Sequence, residues 1–432
     1  MSVPVKPACS VSSKVRFACP WKAPSSALRG QVVKTLIGIE IPIRWMALWH
    51  CVRLRMTRST RGRMKKADTQ RKVVRLGFVA DQVHDLMGER PRRLETLQQG
   101  LRARVLRCHL RGGRSVIVKA STEVTRTGRR EWEALRFLSA RAPSLAPRLL
   151  GRSKDRRLVI MEDLKGETLA RLLERESESG ARKPLVSIAE RLGHFHGQQV
   201  TRLDALPRSL RGEYLQQAKD CVSLQGRVLG LLERAGVKPS PGFDGAWQEL
   251  VERMGSPGAF LTVTHGDLAP SNVLLTPAGP RLLDFEYTGA RSALYDVMFW
   301  EFVVPFPRTL ARAMTRAYRT ALGAVLPEAR DEARFRQELA TLKTHRFYWW
   351  LTFRLAEALA GADAHWVPGW RLRPAYLFYL QNFLTTSRSL GVEGPLTRTA
   401  RALATRLREQ WVDRAGYPDH FLPAPSLQGR RG

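Results

Sequence analysis

The chain has 432 residues, 44% apolar and 26% charged, the balance of a globular protein with material for two or three domains of roughly 100 to 200 residues each. Lys and Arg number 72 against 39 Asp and Glu, a formal charge of +33 that raises nucleic acid as a partner. Twelve of those cations fall in residues 1–63 beside the single acid Glu40, and the rest are scattered without a zinc-finger or RNA-binding signature, which argues against nucleic acid as the main partner.

The five cysteines, Cys9, Cys19, Cys51, Cys108 and Cys221, are odd in number and contain no C-x-x-C pair. A disulfide framework or structural zinc site is disfavoured, and a reducing cytoplasm fits. Residues 1–63 lack periodicity, and their most apolar run is broken by Lys34, Glu40, Pro42 and Arg44, short of the ~18 uncharged residues that a spanning helix needs. We read 1–63 as a disordered extension or a wrongly assigned start, with an ordinary start at Met64, and 416–432 as a flexible tail.

Order is expected from about residue 97. "LRARVLRCHLRGGRSVIVKAS" reads as two strands joined across Arg111-Gly112-Gly113-Arg114, the second ending at Lys119. "GRREWEALRFLSAR" spaces Trp132, Leu135 and Leu138 along one face of a helix, and "PRLLGRSKDRRLVIMEDLKG" adds two strands around a polar turn. Residues 64–166 thus form a small α+β lobe with a hinge at "DLKGETL". Residues 167–415 read as helices, broken only by "VTHGDLAPSNVLLTPAGPRLLDFEYTG", residues 263–289.

That stretch carries the chemistry. "FLTV" before His265 and "VLLT" after Asn272 brace a loop from both ends, and "RLLDF" delivers Asp284 beside it. A carboxylate at Asp267, a carboxamide at Asn272 and a second carboxylate at Asp284 are suited to holding Mg²⁺ on a polyphosphate while a base receives a hydroxyl proton. Mg²⁺ takes oxygen ligands and keeps coordination sites for phosphates, and Asn272 offers oxygen without a third negative charge.

The order "VIVK", "REWEALRFL", "LVIMEDLKG", "HGDLAPSNVLL", "LLDFE" resembles the aminoglycoside phosphotransferase and choline kinase family, from about Leu97 to Leu390. The resemblance implies a protein-kinase-like α+β fold with a β-rich N-terminal lobe, a helical C-terminal lobe, and phosphoryl transfer from ATP with Mg²⁺ to a small hydroxyl acceptor. It makes Lys119 the grip on the α and β phosphates, Glu131 the helix carboxylate that orients it, and Asp267 the base. Asn272 and Asp284 become metal ligands. The hinge residues Met161, Glu162, Asp163 and Leu164 offer backbone groups to adenine, and Gly100 stands for a glycine-rich loop that is thin here, with Arg102 and Arg104 where small residues are usual.

Competing readings attach to several residues. Lys119 alone also reads as a strand-end lysine; His265 reads as a brace more than a proton shuttle; Glu286 either helps the metal or only ends the strand. Asp296 reads as an anchor for the catalytic loop. His194 and His196, taken as one helix face without a nearby acid, read as packing. Trp349, Trp350, Trp366 and Trp370, near Glu357 and Asp363, suit either a cationic acceptor or a core. An atypical protein kinase is disfavoured by Ala269, by Glu286 in place of glycine, and by eleven residues between Asp284 and Asp296. A kinase-like binding protein that has lost catalysis is the alternative from another class.

Overall fold

The computed structural model describes residues 74–99, 103–200, 203–304, 306–362, 365–367 and 370–411. By contacts the chain divides into residues 1–40 and 41–432, and every described residue lies in the second unit. The expectations for residues 1–63, Gly100, Arg102, Asp363 and the tail lie outside the described residues.

Order begins before the expected residue 97, with helix α1 (Leu76–Met87) and strand β1 (Arg93–Gln99). Val79 and Val83 lie one helical turn apart, and both are fully buried in the core of the sheet. Strands β2 (Ala103–His109) and β3 (Ser115–Ser121) form the expected hairpin. Its turn needs Gly112 and Gly113, whose φ angles of 63° and 71° lie in the left-handed region. With β4 (Leu149–Arg152) and β5 (Leu158–Glu162) the antiparallel sheet has the order β1-β2-β3-β5-β4.

Alternation along β3 sets the direction of Lys119. Val116, Val118 and Ala120 are buried with Leu106, Cys108, Leu158 and Ile160, so Ile117 and Lys119 occupy the opposite face. Helix α2 (Arg126–Arg141) begins at Thr125, whose hydroxyl accepts the Gly128 N–H. Its Ala134, Leu135, Phe137 and Leu138 are buried in the large helical core and not in the small core behind the sheet. Glu131 and Lys119 therefore reach the same point from differently anchored elements.

After the hinge come β6 (Glu167–Thr168), α3 (Leu169–Arg175), α4 (Glu178–Val200), α5 (Glu213–Arg234) and α6 (Phe243–Gly255). Gly166 sits where a Cβ would meet the Leu275 carbonyl oxygen at 2.3 Å, a crossing that only glycine permits. Strands β7 (Leu261–Thr264), β8 (Val273–Thr276), β9 (Gly279–Leu282) and β10 (Gly289–Ser292) frame the stretch that holds Asp267, Asn272 and Asp284: β8 lies between β6 and β9, and β7 pairs with β10. Helix α7 (Leu294–Met298) runs into a π-helical turn at Phe299–Val303, followed by α8 (Arg308–Gly323), α9 (Glu332–Leu351), α10 (Leu372–Leu390) and α11 (Pro395–Gln410). This is an α+β architecture with a small antiparallel sheet ahead of a mostly helical region. No helix among the described residues is long and apolar enough to cross a membrane. Cys108 and Cys221 are buried free thiols.

Candidate active site

Lys119 Nζ lies 2.7 Å from Glu131 Oε2, 2.7 Å from Asp284 Oδ1 and 3.6 Å from Glu286 Oε2. Burial alone would lower the ammonium, yet the charges of Asp284, Glu131 and Glu286 outweigh it and raise the Lys119 pKa. Burial also lifts the Glu131 carboxyl to about 7; Lys119 opposes the rise, while Asp284 and Glu286 add to it. The three carboxylates offer oxygens within 4.8 Å of one another. Fully ionised, they exceed the one ammonium by two negative charges, and a hard divalent cation with oxygen ligands matches that excess. Asp284 holds φ 63° and ψ 67°, a left-handed conformation that costs a non-glycine residue roughly 1–2 kcal/mol. Such strain is typical of a functional position.

The loop between β7 and β8 is held from beneath by buried polar groups. Asp296 on α7 accepts the His265 N–H at 2.7 Å and the Gly266 N–H at 2.9 Å. Burial would raise its carboxyl, but hydrogen bonding and charge from His196, then His265 and the Gly266 amide, hold it below the usual carboxylate range. His265 Nε2 donates to the Leu283 carbonyl at 2.8 Å, and Nδ1 accepts the Asp267 N–H at 3.3 Å. Both ring nitrogens serve backbone groups, and burial keeps the imidazole pKa low, so His265 sits as a neutral brace. Asn272 Nδ2 donates to the Asp267 carbonyl at 2.9 Å and reaches Asp267 Oδ2 at 3.4 Å. Its Oδ1 accepts the Ser271 hydroxyl at 3.3 Å and is left as the oxygen that a cation could use.

Residues 93–336, more than half of the chain, match the phosphotransferase enzyme family, APH. The chain belongs to that family. No curated protein sequence matches it. Similar solved structures include a macrolide 2'-phosphotransferase type I, 16% identical over 76% of this chain and 99% of that one, with a TM-score of 0.46. Another is the choline kinase LicA from Streptococcus pneumoniae, 14% identical over 73% of this chain and 98% of that one, TM-score 0.44. A third is a choline kinase from Cryptosporidium parvum Iowa II, 15% identical over 76% and 100%, TM-score 0.46. The acceptors in those names belong to those proteins alone.

Elsewhere in this phosphotransferase the hinge residues are partly committed. The Asp163 carboxylate is turned inward onto Arg107, Ser115 and Lys165, at 2.8, 2.5 and 2.6 Å. Burial would raise its pKa, but those three partners hold it low. The Glu162 N–H donates to the Arg148 carbonyl. What Asp163 can present to a nucleotide is therefore backbone only, and the Glu162 amide is already engaged.

The two histidines do not share a helix face, because i and i+2 are 200° apart on an α-helix. His194 is exposed, whereas His196 is fully buried between Asp296, 3.2 Å from Nε2, and the Tyr318 hydroxyl, 2.8 Å from Nδ1. Sequence reading missed this acid because Asp296 lies 100 residues away. In the aromatic segment, Trp350 stands 4.2 and 4.4 Å from the rings of Tyr376 and Tyr379, and Phe347 stacks on Phe383 at 4.1 Å. These are core contacts. Trp349 is half-buried, Glu357 is paired with Arg354 at 2.9 Å, and the side chains of Trp366 and Trp370 lie outside the described residues. A separate cavity of ≈ 1230 Å³, bordered by Trp300, Glu301, Phe306, Lys343 and Phe378, includes none of Lys119, Glu131, Asp267, Asn272 or Asp284.

Proposed function

We propose that this phosphotransferase is a small-molecule kinase that moves the γ-phosphoryl group of ATP onto a hydroxyl of a small acceptor, with Mg²⁺. The observation that carries the reading is the convergence of Lys119, Glu131 and Asp284 within 2.7 Å contacts of one ammonium. Such a cluster neutralises and orients phosphates, which is most of what phosphoryl transfer asks of a protein. Lys119, positioned by Glu131, grips the α and β phosphates. Asp284 and Asn272 would hold the metal, with Glu286 close enough to assist. Mg²⁺ held there would offset the charge that develops on the phosphate oxygens.

Asp267 takes the acceptor hydroxyl proton as the new O–P bond forms and the bond to the β-phosphate oxygen breaks, leaving ADP. In this reading residues 64–166 carry the nucleotide side and 167–415 the catalytic loop and the acceptor. Two features favour a small acceptor over a protein. Ala269 replaces the lysine usual in protein kinases. The stretch from Asp284 to Asp296 is taken up by a short turn, β10 and the start of α7, with no room for an activation loop.

ADP release across amino alcohols, sugars, macrolides and aminoglycosides tests this, with three variants as controls. Asp267→Asn should bind Mg-ATP like the parent while turnover drops on the order of 10² to 10⁴. Asp284→Asn should lose Mg²⁺ affinity and recover partly with added Mg²⁺, and Lys119→Ala should not be rescued by it. An Asp267→Asn protein that turns over like the parent, or a parent that releases no ADP with any acceptor, sinks the proposal.

A further inference from the structure

A trio of charges outside the Lys119 cluster, two of them buried arginines and the third a half-buried glutamate, links the two sides of the site. Glu213, the first residue of α5, gives one oxygen to each of two guanidinium groups: Oε2 lies 2.6 Å from Arg130 Nη1, and Oε1 lies 3.1 Å from Arg291 Nη2. Arg130 and Arg291 are only 7% and 3% exposed. Arg130 is the neighbour of Glu131 on α2, and its Nη2 donates to the Thr288 carbonyl at 2.9 Å. Arg291, on β10, donates through Nη1 to the Tyr287 carbonyl at 2.8 Å and to the Thr264 hydroxyl at 3.1 Å. Two cations on one carboxylate leave an excess positive charge, and the carbonyl oxygens of Tyr287 and Thr288 face it.

Two glycines are shaped to this trio. A Cβ on Gly266, which precedes Asp267 and has φ +83°, would meet the Tyr287 carbonyl oxygen at 2.3 Å and Arg291 Nη1 at 2.8 Å. A Cβ on Gly289 would meet Glu213 Cβ at 2.8 Å. The trio thus touches the helix of Glu131, the turn after Asp284 and the loop of Asp267 together. The Ser209 hydroxyl, donating to Glu133, adds a second tie between the segment before α5 and helix α2.

Resting on the kinase reading above, we propose that Glu213 is a positioning residue for phosphoryl transfer. By holding Arg130 and Arg291 at once it sets helix α2, and so Glu131 and Lys119, in register with the Asp267 loop. The cost of such burial is offset only when geometry and hydrogen bonding are good, and loss of one partner leaves uncompensated charge. Helix α2 is then held to the helical region.

The test is a double-mutant cycle on the full chain, with Glu213→Gln, Glu131→Gln and the double variant, read by ADP release and by hydrogen–deuterium exchange. Because misplacement near 1 Å costs about 10²-fold, Glu213→Gln should lower turnover by about that factor. The double variant should lose no more than Glu131→Gln alone, since both act through one alignment. Exchange should rise together in residues 126–141 and 264–268 and stay at parental levels in the sheet. Losses that multiply, or exchange that rises in one segment only, overturn the proposal. If Glu213→Gln does not fold, Arg130→Gln replaces it in the same cycle under the same criteria. A parent without ADP release removes the kinase reading, and the exchange pattern then decides the coupling by itself.

Discussion

The sheet that delivers Lys119 is held by an apolar core of Val, Leu, Ile, Ala and Cys, whereas the loop that delivers Asp267 hangs its His265 and Gly266 amides on buried Asp296, which His196 contacts in turn, and Arg291 donates to Thr264 just before the loop. In the sheet, alternation is enough: burying Val116, Val118 and Ala120 necessarily turns Lys119 to the other face. A loop has no such periodicity, and its amides need individual acceptors when they are buried. Side-chain carboxylates and carbonyls supply them here. One half of the site is positioned by non-directional burial and the other by directional polar bonds, so the two should fail differently.

Asp296→Ala should give the largest effect. It strips the acceptor from the His265 and Gly266 amides and from His196 at once, and removal of one partner from such a buried set costs about 3–5 kcal/mol. Denaturant midpoint and turnover should fall together, and Asp296→Asn, which keeps one acceptor oxygen, should lie between. A stable, active Asp296→Ala protein would break the contrast. On the sheet side, Leu106→Ala removes a fully buried side chain and should cost about 2–5 kcal/mol. Turnover per folded molecule should nevertheless stay near the parental value, because the pleat that aims Lys119 is unchanged. A collapse of turnover in the folded fraction would show that the apolar core does more than support.

The smallest effect, over the range from pH 7 to 5, concerns acid. His345 on α9 is held neutral, its pKa lowered to about 3 by burial and, secondarily, by Arg346. Its ordinary value of 6.5 applies in the unfolded chain, which therefore takes the proton first. The stability present above pH 6.5 is then lost as pH falls from 6.5 towards 3, by at most about 1.4 kcal/mol per pH unit. His345→Leu should flatten that limb of a denaturation series at pH 7, 6 and 5. Unchanged slopes would mean that His345 is not among the groups linking acid to unfolding.

The residues of the candidate site were legible in the sequence because each stands at a fixed step from a local pattern: Lys119 at the end of an alternating strand, Glu131 on a periodic helix, and Asp267, Asn272 and Asp284 between short apolar runs. Helix α1 was also within reach, since Val79 and Val83 carry a helical spacing. What the tertiary structure alone decided is who holds those residues in place. His196 meets Asp296 across 100 residues, and Arg130 and Arg291 meet at Glu213 from separate elements. Local sequence encodes periodicity, and periodicity decides which face is buried. A buried charge chooses its partner by proximity in the folded chain, where desolvation makes an unpaired group costly, and no spacing in the sequence records that choice.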